Sequence, residues 1–106
     1  MHEPTFLILT ALADEPRHGY GVVQEVSELS SGRVTLRPGT LYAALDRLVD
    51  EGLVAVDREE VVASRLRRYY RITAEGARVL GEESERLSAN AAAARRRLRK
   101  AGVKPA

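Results

Sequence analysis

The sequence predicts a mainly α chain with one small β-hairpin, closed by a helix longer than the others. Three observations carry this. Apolar residues recur every three to four positions from Phe6 to Val49, interrupted by breaks around Pro16 and Pro38. Two β-prone runs then flank a polar stretch. From Thr73 onward, small and apolar residues repeat at alternating steps of three and four, the spacing of a helical seam.

The first helix is expected over Pro4 to Ala13, since Pro4 suits a first turn, where an N–H would go unbonded anyway. Phe6, Leu7, Ile8, Leu9, Ala11 and Leu12 leave it almost no polar face, so it must be covered on more than one side. In so small a chain the second cover is expected from another subunit, with Phe6 and Leu9 at that contact. Glu15 to Gly19 break the chain before a second helix, Tyr20 to Leu29, with Val22, Val23, Val26 and Leu29 inward and Ser30-Ser31-Gly32 ending it. Val34-Thr35-Leu36 is read as extended, ahead of Pro38, which disfavours a helical conformation in the residue before it. The third helix, Gly39 to Glu51, buries Leu41, Ala44, Leu45, Leu48 and Val49 and stops at Gly52. Leu53 to Val56 and Leu66 to Ile72 form the hairpin around a polar loop, and Thr73 caps the last helix. Three helices, a hairpin and a helix is the order of a winged helix-turn-helix with an added C-terminal helix. Residues 1–73 make the winged unit and 74–106 the dimerisation helix and tail.

With 106 residues and Cys 0, the chain has no disulfide staple, no thiolate nucleophile and no cysteine-based zinc site. A lone core of this size buries only about two-thirds of the unfolded surface, so a partner chain would help. Lys+Arg 17 against Asp+Glu 15 leaves +2, too little to argue for nucleic acid without its distribution. The apolar run from Phe6 is too short to span a membrane and lacks a basic leader, so the chain is expected in the cytoplasm.

The exposed side of the third helix begins small and uncharged and turns acidic at Asp46 and Asp50. A helix N-terminus offers unpaired N–H groups and partial positive charge, so Gly39 and Thr40 can approach a phosphate, and Tyr42 adds a hydroxyl. Ala43 could touch a thymine methyl, and Arg47 could reach a guanine edge or a phosphate. These groups suit double-stranded DNA. In the bland alternative Tyr42 packs beside the second helix and Arg47 pairs with Asp46 or Asp50. In the hairpin, alternation sets Arg65, Arg67, Tyr69 and Arg71 on one face and Leu66, Arg68, Tyr70 and Ile72 on the other. Tyr70 and Ile72 read as core, which exposes the first face, and arginines on a β-ribbon suit a narrow minor groove. Arg65 and Arg67 are favoured for DNA over Arg68 and Arg71. The competing reading pairs the arginines with Asp57, Glu59 and Glu60.

His18 has only His2 as a second histidine and no cysteine, so no metal site is expected, nor any cofactor. With Gly19 it shapes the entry to the second helix, Tyr20 packing behind. No nucleophile–base pair, phosphate loop or carboxylate pair stands out, so no catalytic residue and no enzyme is expected. Ala77, Leu80, Ser84, Leu87, Ala91, Ala94 and Leu98 form the seam of the last helix. Leu80, Leu87, Ala91, Ala94 and Leu98 are assigned to a homodimer contact. Glutamates lie toward its start and Arg95 to Lys100 toward its end, which would place opposite charges together in an antiparallel pair. A helix lying only on its own domain, or a basic tail offered to DNA, is the alternative.

His18-Gly19-Tyr20-Gly21, Pro38-Gly39-Thr40-Leu41-Tyr42, Arg47-Leu48 with Glu51-Gly52-Leu53-Val54, and Arg67 to Thr73 together resemble the signature segments of PadR-family transcriptional regulators. Four segments in order at the right spacing make the resemblance specific, and it extends from the first helix into the last. It implies a dimeric DNA-binding protein, usually a repressor, of the short type with a single C-terminal helix. A pseudo-palindromic operator follows from a two-fold dimer. A small-molecule inducer of unnamed chemistry would act through the dimer by changing the angle between the last helices. Ala43 stands where the family often has proline, Ser64-Arg65-Leu66 where it often has a glycine-arginine-proline turn, and Trp 0 removes the aromatic platform by which short members bind flat drugs. A winged-helix module that binds an acidic protein through Arg65 and Arg67 is the alternative function.

Overall fold

The computed structural model describes residues 1–103; residues 104–106 of the expected tail lie outside the described residues. The chain runs α1 (Glu3–Leu12), β1 (Arg17–His18), α2 (Gly19–Leu29), α3 (Pro38–Asp50), β2 (Val54–Val62), β3 (Arg65–Ile72) and α4 (Ala74–Lys100). It is a mainly α winged-helix fold with a small antiparallel sheet of strand order β1-β3-β2.

The core lies where α1, α2 and α3 meet the root of the hairpin, around Ile8, Leu12, Val22, Val26, Leu41, Leu45, Leu48, Val54 and Tyr70. α1, α2 and α3 bury most of the stripes their periodicity marks, while α4 leaves Leu87 and Leu98 exposed. α1 differs from expectation: Leu7, Ile8, Leu9, Ala11 and Leu12 are all buried within the single chain. Leu9 is 0% exposed and has no surface left for a second subunit, which removes it from the dimer contact. Packing by α2, α4 and the sheet root supplies the cover expected from a partner. Leu29, the last residue of α2, is 45% exposed rather than inward.

Helix ends follow local chemistry. Gly52, at φ 77, closes α3, with Leu53 N–H bonded to Leu48 O at 3.0 Å and Gly52 N–H to Val49 O at 3.0 Å. Val34 to Leu36 form no strand; the Val34 N–H instead donates to the buried Ser30 hydroxyl at 2.9 Å. Thr73 caps α4: its hydroxyl accepts from Gly76 N–H at 3.0 Å and donates to Gly52 O at 2.7 Å, fastening the start of α4 to the end of α3. Gly76 sits so close to the turn that a β-carbon there would run into the Leu53 carbonyl and approach Ile72 Cγ1 to 2.8 Å.

The stretch expected as a polar loop is mostly strand. β2 continues through Asp57, Arg58, Glu59 and Glu60 to Val62, and the loop shrinks to Ala63 and Ser64, at φ 51 and 64. Both strands leave the core there, so no buried face imposes an alternation of polar and apolar residues. β1 pairs Arg17 with Tyr70 and His18 with Tyr69, which ties the wing to the entry of α2.

Candidate nucleic-acid interface

Leu41, Leu45 and Leu48 anchor α3 and turn Gly39, Thr40, Tyr42, Ala43, Asp46, Arg47 and Asp50 to solvent. The two flanks differ. On the wing side Tyr42 and Asp46 line a hollow with Leu66, Arg68 and Tyr70. Beside it, a groove of about 340 Å³ runs between the start of α2 and the hairpin, lined by His18, Tyr20, Tyr42, Arg65 and Arg67 among others. Thr40, Ala43 and Arg47 line a cleft toward the first turn of α1 instead.

The expected site therefore divides. Tyr42, Arg65 and Arg67 come together in one groove, while Gly39, Thr40, Ala43 and Arg47 share the opposite flank. Tyr42 lies against Gly19 of α2, where a β-carbon would collide with its ring, yet remains half exposed. It serves as packing and as surface at once. Arg47 pairs with neither Asp46 nor Asp50: its Nη2 donates to Thr5 Oγ1 at 2.9 Å and its Nε lies 3.4 Å from Glu51.

In the wing the acids of β2 take up some arginines and leave others. Arg58 donates to Asp57 and Glu60 at 3.0 and 2.8 Å, Arg68 donates to Glu59 at 3.2 Å, and Arg71 lies 3.8 Å from Asp57. Arg65 and Arg67 make no ion pair among the described residues. Arg65 stands opposite Val62, and Arg67 stands opposite Glu60, whose carboxylate is engaged by Arg58 and held below its usual pKa chiefly by that bond. The hairpin thus keeps two guanidiniums out of ion pairs among the described residues, Arg65 exposed beside the turn and Arg67 partly covered nearer His18.

His18 joins α2 to the wing. It caps α2, its Nδ1 accepting from Gly21 N–H at 3.3 Å, and its ring meets Tyr69 edge-on with centroids 5.4 Å apart. The Arg58 guanidinium covers the Tyr69 ring at 3.9 Å. Burial, and then the Arg67 charge, lower the His18 pKa, in keeping with a neutral ring that accepts at Nδ1.

Tyr20 stands elsewhere than sequence reasoning places it. It is 66% exposed and lines the groove with Arg65 and Arg67 instead of packing behind His18. Its place in the first turn of a helix, between two glycines, is the signal that could have found it. Of the residues assigned to a dimer contact, Phe6 and Leu80 are partly buried on the chain's own core, Ala91 is half-buried, and Leu87, Ala94 and Leu98 are exposed on α4.

Residues 8–82 match the model of the Transcriptional regulator PadR-like family. The chain belongs to that family. Among individual relatives, it is 41% identical over 80 residues to Transcriptional regulator Rv3488 of Mycobacterium tuberculosis, covering 76% of this chain and 71% of that protein. It superposes with a TM-score of 0.70 on a PadR family transcriptional regulator from Eggerthella lenta, at 30% identity over 91% of this chain and 84% of that one. Bacillus subtilis PadR, solved in complex with operator DNA, shares the fold at a TM-score of 0.65 and 22% identity, covering 74% of this chain and 45% of that one.

Proposed function

We propose that this PadR-like chain is a sequence-specific DNA-binding regulator that works as a homodimer, most simply as a repressor on a pseudo-palindromic operator. The observation that carries the reading is the pairing pattern of the wing. Five arginines stand on β2 and β3, and the two without an ion pair, Arg65 and Arg67, line one groove with Tyr20 and Tyr42 beside the exposed crest of α3. That arrangement suits α3 in a major groove and the wing over the neighbouring backbone or minor groove. A PadR protein of the same fold solved with operator DNA supports it. Two subunits would present two recognition helices to two half-sites, and the exposed α4 seam is the surface that fits this pairing.

Selection of bound fragments from genomic DNA, followed by titration of the best duplex at several salt concentrations, tests the reading. A preferred sequence should emerge whose binding falls steeply with salt. Ala43→Glu should abolish that binding while circular dichroism stays unchanged, because the carboxylate would face phosphates from an exposed position. Binding that ignores sequence, or an Ala43→Glu variant of full affinity, would favour a winged-helix module for an acidic protein partner.

A further inference from the structure

A helix about 10–12 Å across that enters a groove about 12 Å wide meets both phosphate walls, so whatever flanks it on either side lies against a sugar–phosphate backbone. The wing and Tyr20 flank α3 on one side. On the other lies a cleft of about 560 Å³ between the first turn of α1 and α3, its apolar part made by Pro4, Ile8 and Ala43 and its polar part by Thr5, Thr40 and Arg47. Arg47 bridges the cleft. Its Nη2 donates to Thr5 Oγ1 at 2.9 Å and its Nε lies 3.4 Å from Glu51, which turns the guanidinium toward α1. Nη1 makes no hydrogen bond among the described residues. The Thr5 hydroxyl accepts from Arg47 and so fixes where the guanidinium stands. Of the carboxylates nearby, Glu51 faces the Arg47 guanidinium and Glu3 that of Arg33, at 3.2 and 3.3 Å, while Asp46 and Asp50 of α3 make no ion pair among the described residues.

We propose that Thr5 and Arg47 form a clamp on the DNA backbone at the wall opposite the wing, with Thr5 as the positioning residue and Pro4 and Ala43 seating a deoxyribose between phosphates. The clamp rests on the DNA-binding reading above, and it changes the part Arg47 plays. A guanidinium held against α1 contacts phosphate and does not read a base, so it sets register and affinity without sequence preference.

The test uses the full chain, its selected operator, and a set of operators each changed at one base pair. Arg47→Ala should weaken binding about tenfold per subunit, by the same factor across the whole set. It should also flatten the slope of log affinity on log salt by about one for each phosphate left without its guanidinium. Thr5→Val should weaken binding less, Thr5→Ser should restore it, and the Thr5→Val/Arg47→Ala pair should be no worse than Arg47→Ala alone. Discrimination that disappears at one base pair in Arg47→Ala, or strictly additive effects of the two substitutions, overturns the clamp. If Arg47→Ala binds as wild type while loss of Arg65 and Arg67 weakens binding, the clamp falls and the DNA reading stands. If the wild type selects no DNA, both fall.

Discussion

His18 is the residue on which the root of the wing turns. Its neutral ring caps α2 and abuts Tyr69, and its pKa is lowered by burial and by Arg67. As pH falls through about 6.5, the unfolded chain takes up this proton before the folded chain does. The contribution of His18 to stability is therefore complete above that range and is lost as pH falls below it. Urea midpoints should drop between about pH 7 and pH 6 in the wild type, and less in His18→Asn, which keeps a capping side chain without the titration. Equal slopes in the two proteins would assign the proton uptake elsewhere. A second expectation concerns Arg65 and Arg67. Changing both to alanine should weaken operator binding and flatten its salt slope by about one unit for each phosphate they cease to touch, counted over both subunits. A fall in affinity at constant slope would mean that they do not touch phosphate. Which wing arginines stay unpaired was not legible from strand alternation: Arg71 shares the face of Arg65 and Arg67 yet lies 3.8 Å from Asp57, and Arg67 and Tyr69 are partly covered while Leu66 and Arg68, expected on the core face, are exposed. The partners of Arg47 were not legible, because Thr5 lies 42 positions away and only the packing of α1 on α3 brings it near.

Among the elements, α4 depends most on the absence of one side chain. Gly76 presses its α-carbon against the Leu53 carbonyl, a backbone group that cannot swing aside as a side-chain tip would. Gly76→Ala should cost about 1–3 kcal/mol by overpacking, read as a lower urea midpoint. Gly81→Ala is the control: its β-carbon would meet nothing within 4 Å, and it should be neutral or gain slightly from helix propensity. Wild-type stability in Gly76→Ala would show that the start of α4 has room to shift. The first three helices were readable within a residue or so at each end, and the start of α4 likewise though not its end, because stripe, proline and cap agree at Pro4, Pro38 and Thr73. β1 was not, since Arg17–His18 is two residues long and carries no periodic signal. The outer half of β2 was hidden for a related reason: Asp57 to Glu60 face solvent and their arginine partners, and no core selects their pattern.

For the molecule as a whole, the long dimension follows from α4. The chain measures 60 × 27 × 21 Å, and beyond Glu83, whose carboxylate lies 3.6 Å from the Met1 amino group, the helix leaves the body. Leu87 is 45% exposed on that stretch. If the seam pairs two chains, Leu87→Asp would place an unpaired charge in it at a cost its neighbours cannot offset. The variant should sediment as a monomer and lose affinity for a full operator far more than for a half-site. A wild type that is monomeric at micromolar concentration, or a Leu87→Asp variant that stays dimeric, would assign α4 to another partner. Charge bears on how the two helices align. Arg78 is paired with Glu75 and Glu82, and Arg86 with Glu83, within each α4. Glu85 is then the acid left for a partner's basic end, so the seam, more than charge, must set the register.

The Thr73 hydroxyl, holding the base of α4 to the closing turn of α3, makes α4 a lever. At 27 residues the helix is about 40 Å long, so a tilt of about 5° at Thr73 sweeps its far end through roughly 3.5 Å. Read in reverse, a displacement of several ångströms at the tip, of the kind a small molecule wedged between two such arms would impose, reaches α3 as a rotation of a few degrees. In the proposed dimer, two recognition helices set to span about 34 Å of duplex would lose their match on that scale of change. Thr73 is tied there twice, by its hydroxyl to Gly52 O and by its N–H to Leu53 O at 3.0 Å, and Thr73→Val would leave the arm in place with one of the two ties gone.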